Sequence, residues 1–366
     1  MDRSSSNYQI SFKPLVDTSQ LAAEWQALEL CSANEFFLSW LWIGTWLEVF
    51  KPAVNVLRVT QSDQVVALAL ITHSAERRHG WLRSNILRLH QTGEQIEDQI
   101  WIEYNDILIA TEHRGLVEQR CVEFLLAQVA GWDELVLGAS SDTSLQNFSH
   151  PQLFEHIRWT APSYGVDLAA LREQGISYLQ SRSKNTRAQI RRAHRDAQAL
   201  GEISFTAVTD TEQALQAFDA IGSLHKQRWG DDSGFNNAAF VAFHQCLISR
   251  AMPAGNIEVF QFNKDGELIA GLYNFLYRGK VYFYLSGINY QGTESIKPGL
   301  LCHAECIQAH QSAGKMHYDF MGGDARYKRS LGQHTTDLKI IAFQKKTAGL
   351  WLEQKLRRLK GLIVHE

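Results

Sequence analysis

Three observations predict an α/β (α+β) fold in two halves. Short runs rich in β-branched and aromatic residues alternate with stretches of helical spacing. At 366 residues the chain is long for one core and comfortable for two. A connector-like stretch from Ser149, SHPQLFEHIRWTAPSYGVDL, holds two of only six prolines and divides the chain near residue 160. The expected halves are residues 1–160 and 161–366.

In the first half, Trp25 and Leu28 stand at helical spacing, and Trp42 and Trp46 stand one turn apart. The segment Phe36–Phe50 is too short to span a membrane and contains Ser39, Gly44, Thr45 and Glu48. It therefore reads as a buried helix; an interfacial one would carry Lys or Arg on its polar face. Strands are expected over Val54–Val59 and Val65–Ile71, and an apolar run over Ile107–Ala110. A helix near Val117–Ala130 leads to a strand over Glu134–Leu137.

The second half opens on a basic helix. Strand Ile203–Val208 and helices Thr211–Gln227 and Ala238–Arg250 follow. Strands Ile257–Phe262, Leu268–Tyr277 and Lys280–Leu285 come next, joined by Asn263-Lys264-Asp265-Gly266 and Arg278-Gly279 turns. A helix begins at Pro298-Gly299, a strand covers Met316–Met321, and a last strand covers Leu338–Phe343. The basic tail, Gln354–Lys360, reads as a solvated helix end.

Composition narrows the function. A net charge of −3 gives no global drive toward DNA or an anionic membrane. Five cysteines, scattered and odd in number, argue against a disulfide framework and for a reducing, cytoplasmic setting. The opening residues lack the apolar core of a signal peptide, and no stable membrane insertion is expected. Cys302, His303 and Cys306 do not make a metal set, because His303 points away from the cysteine face and no second pair has matching spacing. No metal is expected.

The segment Lys297–Lys328 carries most of the chemistry. Pro298 suits a first helical turn, and Gly299 lets a ligand approach the free N–H groups there. Those donors favour an anion, most often a phosphate. Lys297, Pro298, Gly299, Leu300 and Leu301 thus form a candidate phosphate site, although many plain helices also begin Pro-Gly. Asp319 ends the next strand, where it either acts as a base or caps a turn. Tyr327 and Lys328 follow a Gly-Gly turn that includes Gly323, and are read as exposed functional groups.

Direct acyl transfer from a thioester needs a pyrophosphate site, an oxyanion donor, a base and an acid. Backbone groups near Tyr284–Gly287 are candidates for the donor. Asp319 or His225 is the candidate base, and Tyr284 or Tyr327 the candidate acid. The bland alternatives are cross-strand packing for Tyr284 and helix packing for His225 and Trp229. The stretch Arg182–Arg195 holds six Lys or Arg in fourteen residues. Ile190, Ala193, Ala197 and Leu200 share one stripe, with Lys184, Arg187, Arg191 and Arg195 opposite. That face is either a solvated helix surface or a patch for an anionic partner.

The pieces SRSKNTRAQIRRAHRDAQALG, LHKQRWG, LIAG, YFYLSGIN, KPGLLCHAECIQAHQSAG, YDFMGG and YK occur in order. With them the second half resembles the GNAT-type acetyltransferases related to bacterial cellulose-biosynthesis accessory (CelD-like) proteins. FFLSWLWIGTW and EYNDILI extend the resemblance into the first half. The resemblance implies two GNAT-like halves, each a mixed sheet flanked by helices, similar in architecture to Fem-type peptidyltransferases that use aminoacyl-tRNA. It implies acyl transfer from acetyl-CoA or another acyl-CoA to an amine or hydroxyl of a small molecule or saccharide, in envelope or extracellular polysaccharide pathways. Lys297–Leu301 would face the cofactor phosphates, with Gly287 beside them; Asp319, Gly323, Tyr327 and Lys328 would face the acceptor, with Trp229, Arg187 and Arg191 in reach. The family's usual phosphate loop has two glycines, and this one has Lys-Pro-Gly. Use of aminoacyl-tRNA, and a non-catalytic scaffold that binds glycan or protein, are the alternatives.

Overall fold

The computed structural model describes residues 8–293 and 296–363, with side chains through 357. Residues 1–7, read for a leader, and the side chains of 358–360 in the basic tail lie outside that description. The chain divides into two compact units, residues 1–160 with 338–366 and residues 161–337. Residues 338–366, assigned from sequence to the second half, belong to the first unit.

The first unit starts with β1 (Tyr8–Pro14), α1 (Thr18–Leu30) and α2 (Trp40–Phe50). Asp17 caps α1 by accepting from the N–H groups of Ser19 at 2.8 Å and Gln20 at 2.9 Å. Trp25, Phe36, Phe37, Trp42 and Trp46 are all buried, so the tryptophan-rich segment is core. Strands β2 (Val54–Gln61), β3 (Gln64–Arg78) and β4 (Leu82–Leu89) form a meander. Then come β5 (Leu108–Ile109), α3 (Leu116–Gln128), β6 (Glu134–Ser141) and the short α4 (Asp142–Leu145).

Strand β7 (Leu153–Asp167) crosses the boundary between units. This corrects the expected connector. Its Pro162 lies just beyond Ser163, the last residue paired with the neighbouring strand β12 (His317–Gly322), so that ladder loses no N–H to it.

The second unit continues with α5 (Leu168–Glu173), α6 (Tyr178–Ser181), α7 (Lys184–Leu200), β8 (Ile203–Val208), α8 (Thr211–Trp229) and α9 (Ala238–Ala251). Strands β9 (Ile257–Lys264), β10 (Glu267–Tyr277) and β11 (Lys280–Ile288) follow, then α10 (Pro298–Ser312), β12 (His317–Gly322) and α11 (Arg326–Leu331). The β9–β10 and β10–β11 turns place Asp265, Gly266, Arg278 and Gly279 at positive φ, as two-residue hairpins require. Strand β13 (Gln333–Lys345) returns to the first unit, which ends with α12 (Ala348–Ile363).

In the first unit the strand order is β1-β2-β3-β4-β6-β13; in the second it is β7-β12-β11-β10-β9-β8. Each order contains one parallel neighbour pair, β4 with β6 and β11 with β12, and the other neighbours are antiparallel. Strands β1 and β4, each with an alternating apolar pattern weakened by charge, were not foreseen. The fold is the mixed, mostly antiparallel GNAT-like α/β type.

Candidate active site

The parallel pair in the second unit is short. Lys280, Val281 and Tyr282 of β11 pair with His317, Tyr318 and Asp319 of β12, and beyond them β11 runs on to Ile288 without that partner. A register shift sets Tyr273 opposite Leu285 but Asn274 opposite Phe283, so Tyr284 is the extra residue of a β-bulge. A bulge takes a backbone group out of the ladder, which is what an oxyanion donor needs.

The diverging strand end meets α10. Lys297, in the left-handed region (φ 44°), is its N-cap and supplies no side-chain cap. The first intrahelical bond is made by Leu301 N–H to the Lys297 carbonyl at 3.1 Å. The N–H groups of Gly299 and Leu300 precede it, as free helix-end donors do. Gly299 lies under a close approach: a Cβ there would stand 2.7 Å from Ile288 Cδ1, and that side chain would have to shift.

A pocket of about 520 Å³ opens at this helix end, lined by Lys297, Pro298, Gly299 and Leu300, with Ser286, Ile288 and Tyr290 from β11 and its exit. The C-terminal turn of α8 adds His225, Arg228 and Trp229; His303 and Tyr327 close the remaining side. Its charged residues are Lys297 and Arg228, and no acidic residue is among the described lining. The Lys297 ammonium donates to Gln189 Oε1 at 2.7 Å. The Arg228 guanidinium lies over the Tyr290 ring at 5.2 Å and near Trp229 at 5.9 Å. This donor set fits the phosphates of an acyl-CoA: two backbone N–H groups, the positive end of a helix and two cations.

Burial lowers the pKa of His225, and its Nδ1 is 2.8 Å from Ser233 Oγ. His303 is held neutral, its pKa brought down to about 3 by burial and secondarily by the Lys328 ammonium. It stacks on Tyr327, with ring centroids 5.3 Å apart and planes 19° apart. Burial pushes the Tyr327 phenol up, and it stays protonated as a proton donor must. The lining thus holds two neutral imidazoles, His225 and His303, of which His225 is the less buried, and the phenols of Tyr290 and Tyr327.

The structure therefore gathers His225, Trp229, Lys297, Pro298, Gly299, Leu300 and Tyr327 around one cavity. Leu301 is buried behind them, its N–H already used. Asp319 is buried and accepts from Met321 N–H at 2.7 Å and Ser163 Oγ at 3.3 Å, so it shapes the strand end. Tyr284 bonds His244 Nε2 at 3.2 Å. Gly287 packs against α8, where a Cβ would run into the backbone of Ile221. Neither Asp319, Tyr284 nor Gly287 lines the cavity.

The expected exposure of Lys328 is corrected. It is 7% exposed, and its Nζ donates to the carbonyls of Met321 at 3.3 Å and Gly322 at 2.6 Å. It holds the Gly-Gly turn, with Gly323 beside it at φ 116°. Arg187 is half-buried and folds back on the preceding turn, donating to the carbonyls of Gln180 at 3.0 Å and Arg182 at 2.6 Å. Lys184, Arg191 and Arg195 remain exposed on α7, while Leu200, expected on its buried stripe, is exposed.

Arg228, Ile288, Tyr290 and His303 were missed, while Ser286 falls within the Tyr284–Gly287 stretch read as a backbone donor. Arg228 had a signal: it stands on the same helix end as His225 and Trp229. His303 is one turn beyond Gly299 and was weighed only as a metal ligand.

The first unit has a counterpart of this corner. Its parallel pair, Ile86–Arg88 with Glu134–Val136, also precedes a divergence. Asn105 is wedged there, its Nδ2 donating to the carbonyls of Leu89 at 2.8 Å and Gly138 at 3.3 Å. Its N–H donates to the Ala139 carbonyl at 3.1 Å, and its Oδ1 lies 2.8 Å from His90 Nδ1. The start of α3 is occupied by its own Glu118, which accepts from Gly115 N–H at 2.6 Å. A cavity of about 550 Å³ at that end is lined by Asp106, Arg114 and Gly115, among others. Asp106 is 2.8 Å from Arg114, and burial raises the pKa of both Asp106 and Glu118.

Residues 184–329 match the family model described as an acetyltransferase (GNAT) domain. No curated protein matches the chain. Among solved structures the chain is similar to FemX, at 11% identity and TM-score 0.56, over 95% of this chain and 99% of that one. It is similar to L-PGS from Bacillus licheniformis, at 11% and 0.54, over 91% and 93%. A conserved protein of unknown function from Bacteroides thetaiotaomicron gives 9% and 0.54, over 92% and 100%. At these identities the likeness is one of fold.

Proposed function

We propose that the second unit transfers an acyl group from an acyl-CoA thioester to an amine or hydroxyl acceptor. One observation carries the reading: among the described residues, the start of α10 has no side-chain cap and opens on a pocket whose charged lining is Lys297 and Arg228. The GNAT domain match over residues 184–329 covers every residue of that lining. Bound there, the acyl-CoA supplies the activated thioester. The N–H groups of Gly299 and Leu300, with Lys297 and Arg228, hold its phosphates. The β-bulge at Tyr284 offers a backbone donor for developing oxyanion charge. His225, neutral at pH 7 and oriented by Ser233, accepts the proton of the acceptor's nucleophile. Tyr327 gives a proton to the leaving thiolate. Trp229, 55% exposed at the pocket rim, packs against the acceptor.

Acetyl-CoA is the donor we favour, and a saccharide or small-molecule amine or alcohol of envelope or polysaccharide synthesis is the acceptor; both follow the resemblance. The same resemblance and the cysteine usage support a cytoplasmic setting. No helix among the described residues is long and apolar enough to cross a membrane. Thermal unfolding tests the reading. Acetyl-CoA at a hundredfold excess over its dissociation constant adds about 2.7 kcal/mol, and Gly299→Val abolishes the shift. No shift with acetyl-CoA or any longer acyl-CoA overturns it.

A second reading, aminoacyl-tRNA as donor, is favoured by the exposed Lys184, Arg191 and Arg195 on α7. It requires tRNA binding that weakens steeply with salt. If His225→Gln leaves the cellular phenotype of the protein intact while deletion does not, the protein acts as a non-catalytic scaffold.

A further inference from the structure

Two to three turns along α10 from Gly299, a second set of side chains converges. Cys306 and His310 stand at i and i+4, on one helix face. Glu258 of β9 and Asn274 of β10 are register partners in the sheet beneath. Glu258 Oε2 is 2.9 Å from His310 Nε2, 2.9 Å from Asn274 Nδ2 and 4.0 Å from Cys306 Sγ. Asn274 Nδ2 is 3.5 Å from Cys306 Sγ. The ligand atoms of Glu258, Cys306 and His310 all lie within 4.8 Å of one another. Around tetrahedral zinc, with bonds of about 2.0–2.3 Å, such atoms stand about 3.3–3.8 Å apart. The observed separations bracket that range.

Asn274 Nδ2 already donates to Glu258 Oε2, so the amide orients the carboxylate toward Cys306 and His310. Cys306 and Asn274 are fully buried, while the side chains of His310 and Glu258 keep 6% and 11% of their exposure, which leaves an entry path.

We propose that Glu258, Cys306 and His310, with Asn274 orienting the carboxylate, form a binding site for a thiophilic divalent cation, zinc foremost, that ties α10 to β9 and β10. This set shares only Cys306 with the trio considered from sequence, and its His is one turn further on.

The test is titration of the full chain, prepared in chelator and reductant, with Co²⁺ as a spectroscopic stand-in for Zn²⁺. One equivalent is taken up, a thiolate-to-cobalt charge-transfer band appears, and Zn²⁺ displaces it. Cys306→Ser removes the band, and Cys31→Ser, at an exposed cysteine, leaves it. Absence of the band in the wild-type chain overturns the proposal, as does its persistence in Cys306→Ser. If Cys306→Ser does not fold, His310→Gln decides: at least a tenfold weaker Co²⁺ affinity supports the site, and unchanged affinity overturns it. The readout does not involve acyl-CoA, so failure of this site and failure of the acyltransferase reading are separable.

Discussion

The corner after β11 and the corner after β4 share a plan and differ in what fills it. Each unit has a parallel strand pair, a helix between the two strands in sequence, and a cavity at that helix's start, of about 550 Å³ in the first and about 520 Å³ in the second. In the second unit, among the described residues, no side chain caps the helix and the charged neighbours are cations. In the first unit Glu118 caps the helix, Asp106 stands beside it, and Asn105 laces the diverging strands together. A phosphate would meet donors in one corner and carboxylates in the other. The same topology thus supports a cofactor site or a structural plug, and a few side chains decide which.

The largest effect expected is on chemistry. His225→Gln should lower kcat/KM by roughly 10²–10⁴, the usual contribution of a general base. Burial lowers the His225 pKa below 6.5. The neutral, proton-accepting form therefore holds at pH 7, and activity falls on acidification through a midpoint below 6.5. The variant should lose that acid limb. A pH–rate profile of wild type and variant checks this; an unchanged limb removes His225 from the role.

Next in size is a stability effect confined to the first unit. Glu134 is fully buried and pairs with Arg78 and with Arg158 at 2.9 Å. Hydrogen bonds from Ser84, Gln344 and Arg78 and the Arg158 charge outweigh desolvation and bring its pKa down to about 2. Glu134→Ala leaves two partly buried guanidinium groups short of a partner and should cost about 3–5 kcal/mol in denaturant unfolding. Because the folded pKa is depressed, the carboxylate's contribution is present above its unfolded pKa, near 4.3. It is lost as pH falls from there through about 2. A variant with an unaltered acid transition would show that the carboxylate is not what fails there.

Local features of the site could be read from sequence because neighbours in the chain make them. Pro298-Gly299 opens a helix, and Asp265-Gly266 and Arg278-Gly279 close hairpins, whatever lies beyond them. Trp42 and Trp46 were legible as core from spacing alone. What stayed hidden depends on distant partners. Lys328 looks like an exposed cation until the Gly322 carbonyl folds back on it. Asn105 looks like a loop residue, and only the folded sheet brings Leu89 and Gly138 to its amide. Tyr290 and Arg228 are 62 residues apart by number, and their cation–π contact exists only once α8 lies beside the end of β11.

Removing the plug is the sharper test of the comparison. Asn105→Ala leaves the Leu89 and Gly138 carbonyls and the His90 imidazole short of a partner. Burial holds His90 at a pKa of about 4, so it stays neutral at pH 7. The variant should lose about 2–3 kcal/mol, the cost of buried groups left unsatisfied. Acetyl-CoA should still bind as one equivalent with unchanged affinity. A second equivalent in the variant would show that the plug alone closes the first corner; two equivalents in the wild type would break the contrast.

The smallest expected effect bears on charge. Arg228→Ala removes one cation from an exposed position, so its loss should cost about 1.5 kcal/mol, the low end for a charged hydrogen bond. That is roughly a tenfold weaker Kd for acetyl-CoA, with little change in unfolding. Arg114→Ala should do the reverse. It strands the buried Asp106 carboxylate beside Glu118, destabilises the first unit and leaves acetyl-CoA binding alone. Calorimetric titration and denaturant unfolding of the two variants together decide the matter. If Arg114→Ala weakens acetyl-CoA as much as Arg228→Ala does, the ligand sits in the first corner. The carboxylates there would then have to be protonated or turned aside, which contradicts the charge argument at its root.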